Sequence, residues 1–184
     1  MKQTFLICAA ALLVILSNAA VPDTAERLAQ ARNLGKAFYE NPTTSAEAVT
    51  EFKKALDLAP NSDREKLNYA LALLRADKAG AAIPLLRDVQ KHDPSLPHTW
   101  FNLGIFYKNQ GEDQLAIAQF RQMIKLTPDE PIAHYQLANL VKPDHPEEAI
   151  AELEKARQLN PNLIAVHYQL SSLYRRAGRA EDAA

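Results

Sequence analysis

Apolar residues along most of the chain recur every three or four positions, which is the spacing of one face of an α-helix. The spacing is clearest within residues 97–126, at Leu103, Phe106, Tyr107, Leu115, Ile117, Phe120 and Ile124. Asn109, Gln110 and Gly111 divide this stretch in two, and glycine can take the left-handed conformation that closes a helix. The pattern therefore predicts a pair of amphipathic helices joined by a short turn.

The same helix pair is predicted several times. Proline-centred segments occur at Pro60, Pro94, Pro128 and Pro161, with spacings of 34, 34 and 33 residues. A fixed period of this length indicates units that bury their apolar faces against their neighbours. We predict an all-α fold, an α-solenoid of stacked antiparallel helix pairs. After a lead-in at 20–27, its units are 28–62, 63–96, 97–130, 131–163 and an incomplete 164–184.

Helix starts are also legible in the sequence. Three pairs have the spacing at which a side-chain oxygen caps the first turn and an acid reaches back, namely Ser62 with Glu65, Thr44 with Glu47 and Asp144 with Glu147. Prolines suit first-turn positions because their missing amide proton would have no partner there, and we place Pro97, Pro131 and Pro146 at such positions.

Residues 97–130 resemble the tetratricopeptide repeat family. The residues that carry its pattern are Trp100, Leu103, Gly104, Tyr107, Ala116, Phe120 and Pro128. The resemblance implies a superhelix in which the first helix of each unit lines a concave groove. It also places His134 and His167 in the slot of Trp100, where we expect them to serve packing.

Aligning the units places a column of side-chain amides on the expected groove face: Asn33, Asn68, Asn102, Gln136 and Gln169. The adjoining column begins with Arg32 and Leu67 and continues with aromatic side chains at Phe101, Tyr135 and Tyr168. Cations at Arg64, Arg75 and Lys108 are available to acidic groups. The amides could hold an extended peptide backbone. Alternatively, they form a solvated polar face, since asparagine is common at this position of the family.

The first residues differ from the rest. Lys2 precedes an uncharged apolar run from Phe5 to Leu16, which is followed by small residues at Ser17 and Ala19. This order predicts a signal peptide at 1–19, or alternatively an uncleaved signal anchor. The protein is then exported, to a periplasm or to the outside. Cys8 is the only cysteine, so the mature chain would have neither a disulfide nor a thiolate nucleophile.

Charge and motifs narrow the function classes. The formal net charge is −1, with no long block of one sign, so nucleic acid is not an expected partner. A membrane would be contacted only through the anchor. Neither a nucleophile elbow, a phosphate-binding loop nor a dinucleotide fingerprint occurs in the sequence. His145 lies in no metal-ligand spacing, and we predict no catalysis, no cofactor and no metal.

Two functional hypotheses follow. The first is an exported scaffold that binds proteins or peptides in its groove. Because the unit at 164–184 is incomplete, we also expect the natural chain to continue past Ala184. The alternative hypothesis is therefore an N-terminal accessory segment of a larger secreted protein whose main activity lies beyond that residue.

Overall fold

A computed structural model describes residues 23–179, and the predicted signal at 1–19 lies outside them. Within this range the chain forms nine α-helices, one short 3₁₀-helix and no strand. The helices are α1 (Thr24–Glu40), α2 (Ser45–Leu58), α3 (Asp63–Arg75), α4 (Ala79–His92), α5 (Pro97–Asn109), α6 (Asp113–Leu126), α7 (Pro131–Val141), α8 (Pro146–Leu159) and α9 (Ile164–Arg176). The 3₁₀-helix Pro42–Thr44 joins α1 to α2. The all-α prediction is confirmed, although α1 begins inside the segment taken for a lead-in.

The observed helix starts confirm the predictions made from the prolines and differ from those made from the capping pairs. Pro97, Pro131 and Pro146 each open a helix. Thr44 makes no cap bond to α2, and its hydroxyl donates to the carbonyl of Phe38. Asp144 is not a cap, because α8 begins one residue later than predicted, with His145 at the cap position.

The pair Ser62 and Glu65 forms only half of a capping box. The Ser62 hydroxyl accepts a hydrogen bond from the Glu65 amide at 3.4 Å. The Glu65 carboxylate does not reach back to Ser62, because it turns inward and binds Arg32.

The helices form two layers. The odd-numbered helices lie side by side, as shown by bonds from Arg32 of α1 to Glu65 of α3 and from Lys108 of α5 to Gln136 of α7. The even-numbered helices do the same, and Gln90 of α4 bonds Gln119 of α6. We call the odd-numbered set the first-helix layer and the even-numbered set the second-helix layer. This stacking confirms the predicted solenoid.

Small residues let the two layers approach closely. A Cβ atom added to Gly104 would lie 2.9 Å from the Phe120 ring, which is fully buried. One added to Gly35 would lie 2.8 Å from the Phe52 ring. Ala116 is also fully buried, in a core that runs continuously from the second to the fifth unit. Neighbouring units therefore share one core, as expected for a solenoid.

The slot of Trp100 serves hydrogen bonding as well as packing. The Trp100 indole donates to the carbonyl of Pro94 at 2.8 Å. The Nε2 atoms of His134 and His167 lie 2.9 and 2.7 Å from the carbonyls of Pro128 and Pro161. His134 is buried as expected, but His167 is exposed, so packing is not its role. In each case the ring ties a helix to the turn before it.

Candidate binding groove

The five amides of the predicted column lie on successive helices of the first-helix layer. Asn33, Asn68, Asn102, Gln136 and Gln169 belong to α1, α3, α5, α7 and α9, respectively. Because these helices are neighbours, the column follows one face, which we call the inner face. The amides differ, however, in the partners that they already have within the protein.

Amides at the C-terminal end of the column are bonded internally. The Gln169 amide donates to Asn139 at 2.6 Å and to the Tyr135 hydroxyl at 3.3 Å, and its oxygen accepts from Lys142 at 3.3 Å. The Gln136 oxygen likewise accepts from Lys108 at 2.8 Å. Lys108, predicted to be available to acidic groups, is thus engaged with a neighbouring unit.

Amides at the N-terminal end have open hydrogen-bonding groups. The side-chain amides of Asn33 and Asn68 make no hydrogen bond with any residue of 23–179. Asn102 is intermediate, because its amide donates to the His98 carbonyl of its own helix at 2.7 Å. Only the first two units therefore offer complete side-chain amides to a ligand.

These two open amides line a pocket of about 200 Å³, which we call the N-terminal pocket. Its walls are formed by Arg32, Asn33, Lys36, Tyr39, Phe52, Arg64, Asn68 and Leu71. Arg64 makes no ion pair with any described residue, and the Lys36 ammonium is 3.9 Å from Glu40, with both side chains exposed. Arg75 lies nearby, with its guanidinium carbon 4.9 Å from the centre of the Tyr39 ring. The pocket thus combines apolar walls with cations that have little compensation.

Sequence reasoning missed one functional feature of this pocket, the ion pair of Arg32 with Glu65. Arg32 Nε donates to Glu65 Oε1 at 2.7 Å, and a guanidinium nitrogen contacts the same oxygen more closely. Glu65 is fully buried, and its Oε2 atom has no hydrogen-bond partner among the described residues. The corresponding residues of the next three units are Thr99, Ala133 and Val166, all fully buried. A charged residue in this column was the signal that could have identified the pair.

A second pocket of about 230 Å³ lies at the other end of the inner face, and we call it the C-terminal pocket. It is lined by Tyr135, Lys142, Ala165, Tyr168, Gln169, Ser172, Leu173 and Arg176. Tyr168 is 74% exposed, as a contact residue should be. Phe101, of the same column, instead packs edge-on against Phe120 at a ring distance of 6.0 Å and is half-buried.

Charge is divided between the two layers. Among the described helices, α5, α7 and α9 contain no aspartate or glutamate, and α1 and α3 contain four. The helices α2, α4, α6 and α8 contain nine, together with eight lysines and arginines. Cations at Lys108, Lys142, Arg175 and Arg176 remain on or next to the first group. The first-helix layer therefore has an excess of positive charge in a protein whose formal net charge is only −1.

Two features are absent from residues 23–179, the part of the chain that the structure describes. No group of three histidine, cysteine, aspartate or glutamate side chains is placed to hold a metal ion. None of the helices between residues 23 and 179 has the length and apolar character needed to span a membrane.

Comparison with known proteins agrees with the architecture. Residues 67–131 match a family model described as "Tetratricopeptide repeat". A solved structure described as MamA 41-end from Desulfovibrio magneticus RS-1 is similar with a TM-score of 0.74 and 18% identity, covering 88% of this chain and 91% of that one. Two structures described as crystal structures of MamA have TM-scores of 0.71 and 0.68 at 21% and 22% identity. The match to the structure with a TM-score of 0.71 covers 86% of this chain and 87% of that one. The match to the structure with a TM-score of 0.68 covers 77% of this chain and 83% of that one. A search of curated protein sequences finds no match.

The fold defines the class of this protein as a helical-repeat solenoid with a partly aromatic inner face. The family match identifies residues 67–131 as tetratricopeptide repeats, and the described residues have the all-α solenoid fold that such repeats form. At 18–22% identity, the likeness to the MamA structures establishes a shared fold and nothing more specific.

Proposed function

We propose that this chain is an exported scaffold that binds a protein or peptide along its inner face and does not catalyse a reaction. The observation that carries the proposal is the row of amide and aromatic side chains on adjacent helices, which includes unpaired amides at Asn33 and Asn68. Tetratricopeptide repeats generally bind other proteins, which supports the same class of function.

The inner face suits an extended segment of polypeptide. An asparagine side chain can both donate to a backbone carbonyl and accept from a backbone amide, so Asn33 and Asn68 can hold a peptide with little dependence on its sequence. Tyr168, which is largely exposed, and Tyr135, which is partly buried, provide flat contacts of the kind enriched in binding interfaces.

Export is the part of the proposal that rests on sequence alone. The apolar run from Phe5 to Leu16 and the small residues at Ser17 and Ala19 support a cleaved signal and a periplasmic or secreted location. Expression of the full chain in a bacterial host, followed by fractionation and N-terminal sequencing, tests it. A mature chain that starts at Ala20 supports the proposal, and an intact Met1 in the cytoplasmic fraction contradicts it.

Groove binding can be tested with a displayed library of random peptides as the probe. We expect the mature chain to select peptides that bind it, and we expect their affinity to fall at least tenfold in the double variant Asn68→Ala with Tyr168→Ala. The matched control changes an amide and an exposed apolar residue of the second-helix layer, Gln158→Ala with Leu115→Ala, and should leave binding within about twofold. Failure to select binders, or equal loss in both variants, would reject the groove.

A further inference from the structure

We propose that the N-terminal end of the solenoid is a docking surface for a second copy of this chain, which presents the same surface across a two-fold axis. We call this surface the N-terminal end face, and its members on α1 and α2 include Arg27, Leu34, Glu51, Lys54, Asp57 and Leu58. The inference goes beyond peptide binding in the groove. It rests on the proposed function at one step only, the removal of residues 1–19.

The first argument is the exposure of a position that is buried elsewhere in the solenoid. Leu34 occupies in the first unit the position of Leu103, Leu137 and Leu170 in later units. Those three leucines are 1–3% exposed, whereas Leu34 is 39% exposed. Their helices, α5, α7 and α9, each pack against the second helix of the preceding unit. No such helix precedes α1 among the described residues, so one side of Leu34 is left open.

The second argument is the shape of the surface beside Leu34. A groove of about 570 Å³ lies between α1 and α2, and it has more than twice the volume of either pocket on the inner face. Ala31, Leu34 and Leu58 provide its apolar lining. Terminal units of a solenoid generally present a polar outer surface, because no further unit covers them. A partly apolar groove at this end therefore indicates a surface that another helix covers.

The chain's own N-terminus does not provide that helix once the signal is removed. Cleavage after Ala19 leaves only residues 20–22 ahead of the described range. Three residues are fewer than one helical turn, whereas each of the four second helices is 14 residues long. The cover therefore comes from a second molecule, and the charges of the N-terminal end face indicate which one.

The third argument is that the charges of the N-terminal end face complement themselves. Arg27 and Lys54 line the groove together with Glu51 and Asp57, so the face has equal numbers of cations and anions. Across a two-fold axis, the cations of one copy can pair with the carboxylates of the other. Arg27 makes no ion pair with any described residue, and Asp57 is paired with Lys53 only through an exposed contact. Both are therefore available to a second copy.

The opposite end of the solenoid does not have this property. Within the part of the chain that the structure describes, α9 has no acidic residue and carries Arg175 and Arg176, so two copies that met through α9 would place like charges opposite each other. Contact between two N-terminal end faces also closes after two copies, whereas head-to-tail contact continues into a filament.

The size of the N-terminal end face predicts a weak dimer. The 17 residues of α1 span about 25 Å, and two helices side by side are about 20 Å wide, so each copy covers roughly 500 Å². The two copies together reach about the lower limit of a specific interface. Association should therefore depend on concentration. A dimer would also join two inner faces in one particle, which strengthens binding of a partner that has two binding segments.

Sedimentation equilibrium of the mature chain, residues 20–184, tests the proposal. We expect the mean mass to rise with concentration from one copy to two and to stop there. Leu34→Glu introduces a carboxylate into the apolar part of the face and should weaken the association at least tenfold. The matched control Leu115→Glu makes the same change at an exposed leucine of the second-helix layer, and Ile164→Glu makes it at the exposed C-terminal end. Both should leave the association within about twofold of the native value.

Two charge-reversed chains test the complementarity without disturbing Leu34. Arg27→Glu makes the N-terminal end face net negative, and Asp57→Lys makes it net positive, so each chain alone should associate at least tenfold more weakly than the native chain. An equimolar mixture should recover dimers that contain one copy of each, because the two faces then have opposite charge. Native mass spectrometry distinguishes the mixed dimer, and circular dichroism melting shows whether every variant folds.

Several outcomes would overturn the proposal. A mass of one copy at every concentration would leave the face to another kind of partner. Equal weakening by Leu34→Glu and Leu115→Glu, or no mixed dimer from the charge-reversed chains, would place the contact elsewhere. A mass that rises beyond two copies, or weakening by Ile164→Glu as strong as that by Leu34→Glu, would assign a head-to-tail contact instead.

These failures are separable from failure of the proposed function. A chain that stays monomeric but binds library-selected peptides through Asn68 and Tyr168 would retain the groove-binding scaffold while rejecting the dimer. A chain that dimerises through Leu34 but selects no peptides would do the reverse. An intact Met1 in the fractionation experiment would reject export, and with it the exposure of the N-terminal end face in the natural chain.

Discussion

The amides at the two ends of the inner face occupy equivalent positions of the repeat, but they differ in how many of their hydrogen-bonding groups are free to bind a ligand. At the N-terminal end, Asn33 and Asn68 have no internal partners. At the C-terminal end, Gln169 bonds three neighbouring side chains. Glutamine, which is one methylene longer, reaches the adjacent helix. Equivalent repeat positions therefore do not imply equivalent binding capacity, and a column of similar residues must be judged by the partners of each member.

A second contrast concerns the neighbouring column. Arg32 at the N-terminal end is tied to a fully buried carboxylate, whereas its counterpart Tyr168 at the C-terminal end is 74% exposed. The same column thus contributes an internal ion pair at one end and a free contact surface at the other. Substitutions at these two positions should have very different effects on stability.

The largest expected effect is that of Arg32→Ala. It leaves Glu65 buried without its cation, so we expect the free energy of unfolding to fall by about 2–4 kcal/mol, somewhat below the range for a completely buried pair because Arg32 is partly exposed. Tyr168→Ala should change it by less than about 0.5 kcal/mol. Urea unfolding followed by circular dichroism measures both.

A compensating double variant serves as the control for that prediction. Arg32→Met with Glu65→Met removes both charges, so it should recover most of the lost stability. If Arg32→Ala and Tyr168→Ala were equally mild, the ion pair would not be formed in solution and the contrast between the two columns would disappear.

A smaller effect is expected from the amides themselves. Gln169→Ala removes three hydrogen bonds at partly buried groups and should destabilise the protein by about 1 kcal/mol. Asn68→Ala should be neutral or slightly stabilising, because alanine is the better helix former by a few tenths of a kcal/mol. Thermal unfolding of the two single variants tests the difference, and a larger loss for Asn68→Ala would reverse our assignment of open and closed ends.

The smallest expected effect is a loss of stability at the C-terminal end of the solenoid at alkaline pH. Burial, with a hydrogen bond from Tyr174 to Glu154, raises the pKa of the Tyr174 phenol to about 12 from its ordinary value of 10.0. The folded state holds this proton more tightly than the unfolded state does, so the stabilisation is complete below pH 10 and is lost as pH rises towards 12. The first unit has Phe38 at the equivalent position, which does not titrate.

Absorbance near 295 nm follows ionisation of the six tyrosines during an alkaline titration. One of them should ionise late in the native chain, and Tyr174→Phe should remove that late step while also reducing the loss of stability above about pH 10. Persistence of the late step in Tyr174→Phe would assign it to another tyrosine.

Much of the fold could be predicted from the sequence, because helices depend on local spacing. The apolar positions around Leu103 and Tyr107 lie on one face, and Pro97 and Pro131 open helices where their missing amide protons cost nothing. The prediction was wrong where a residue that carries a local signal also has a binding partner far away in the sequence. Glu65 was expected to complete a capping box, and it binds Arg32, a residue 33 positions away, instead.

For the candidate site, the sequence predicted which helices carry the groove residues but not which of those residues are free to bind a ligand. Alignment of the units placed the amide column and the aromatic column on the first-helix layer, where the structure also has them. The alignment could not show that Lys108 donates a hydrogen bond to Gln136 or that Phe101 packs against Phe120. Those contacts depend on the distance between neighbouring helices and on side-chain conformation, neither of which the repeat period contains.

The sequence by itself determined the repeat period, the helix pairs and the sides of those helices that carry amides or apolar residues, because these properties follow from spacing within a few turns. Only the tertiary structure decided which polar groups are satisfied and which remain available, because their partners, such as Tyr135 for Gln169, come from another unit 34 residues away. Packing between units also brought the first helices, which carry an excess of lysine and arginine, side by side in one layer.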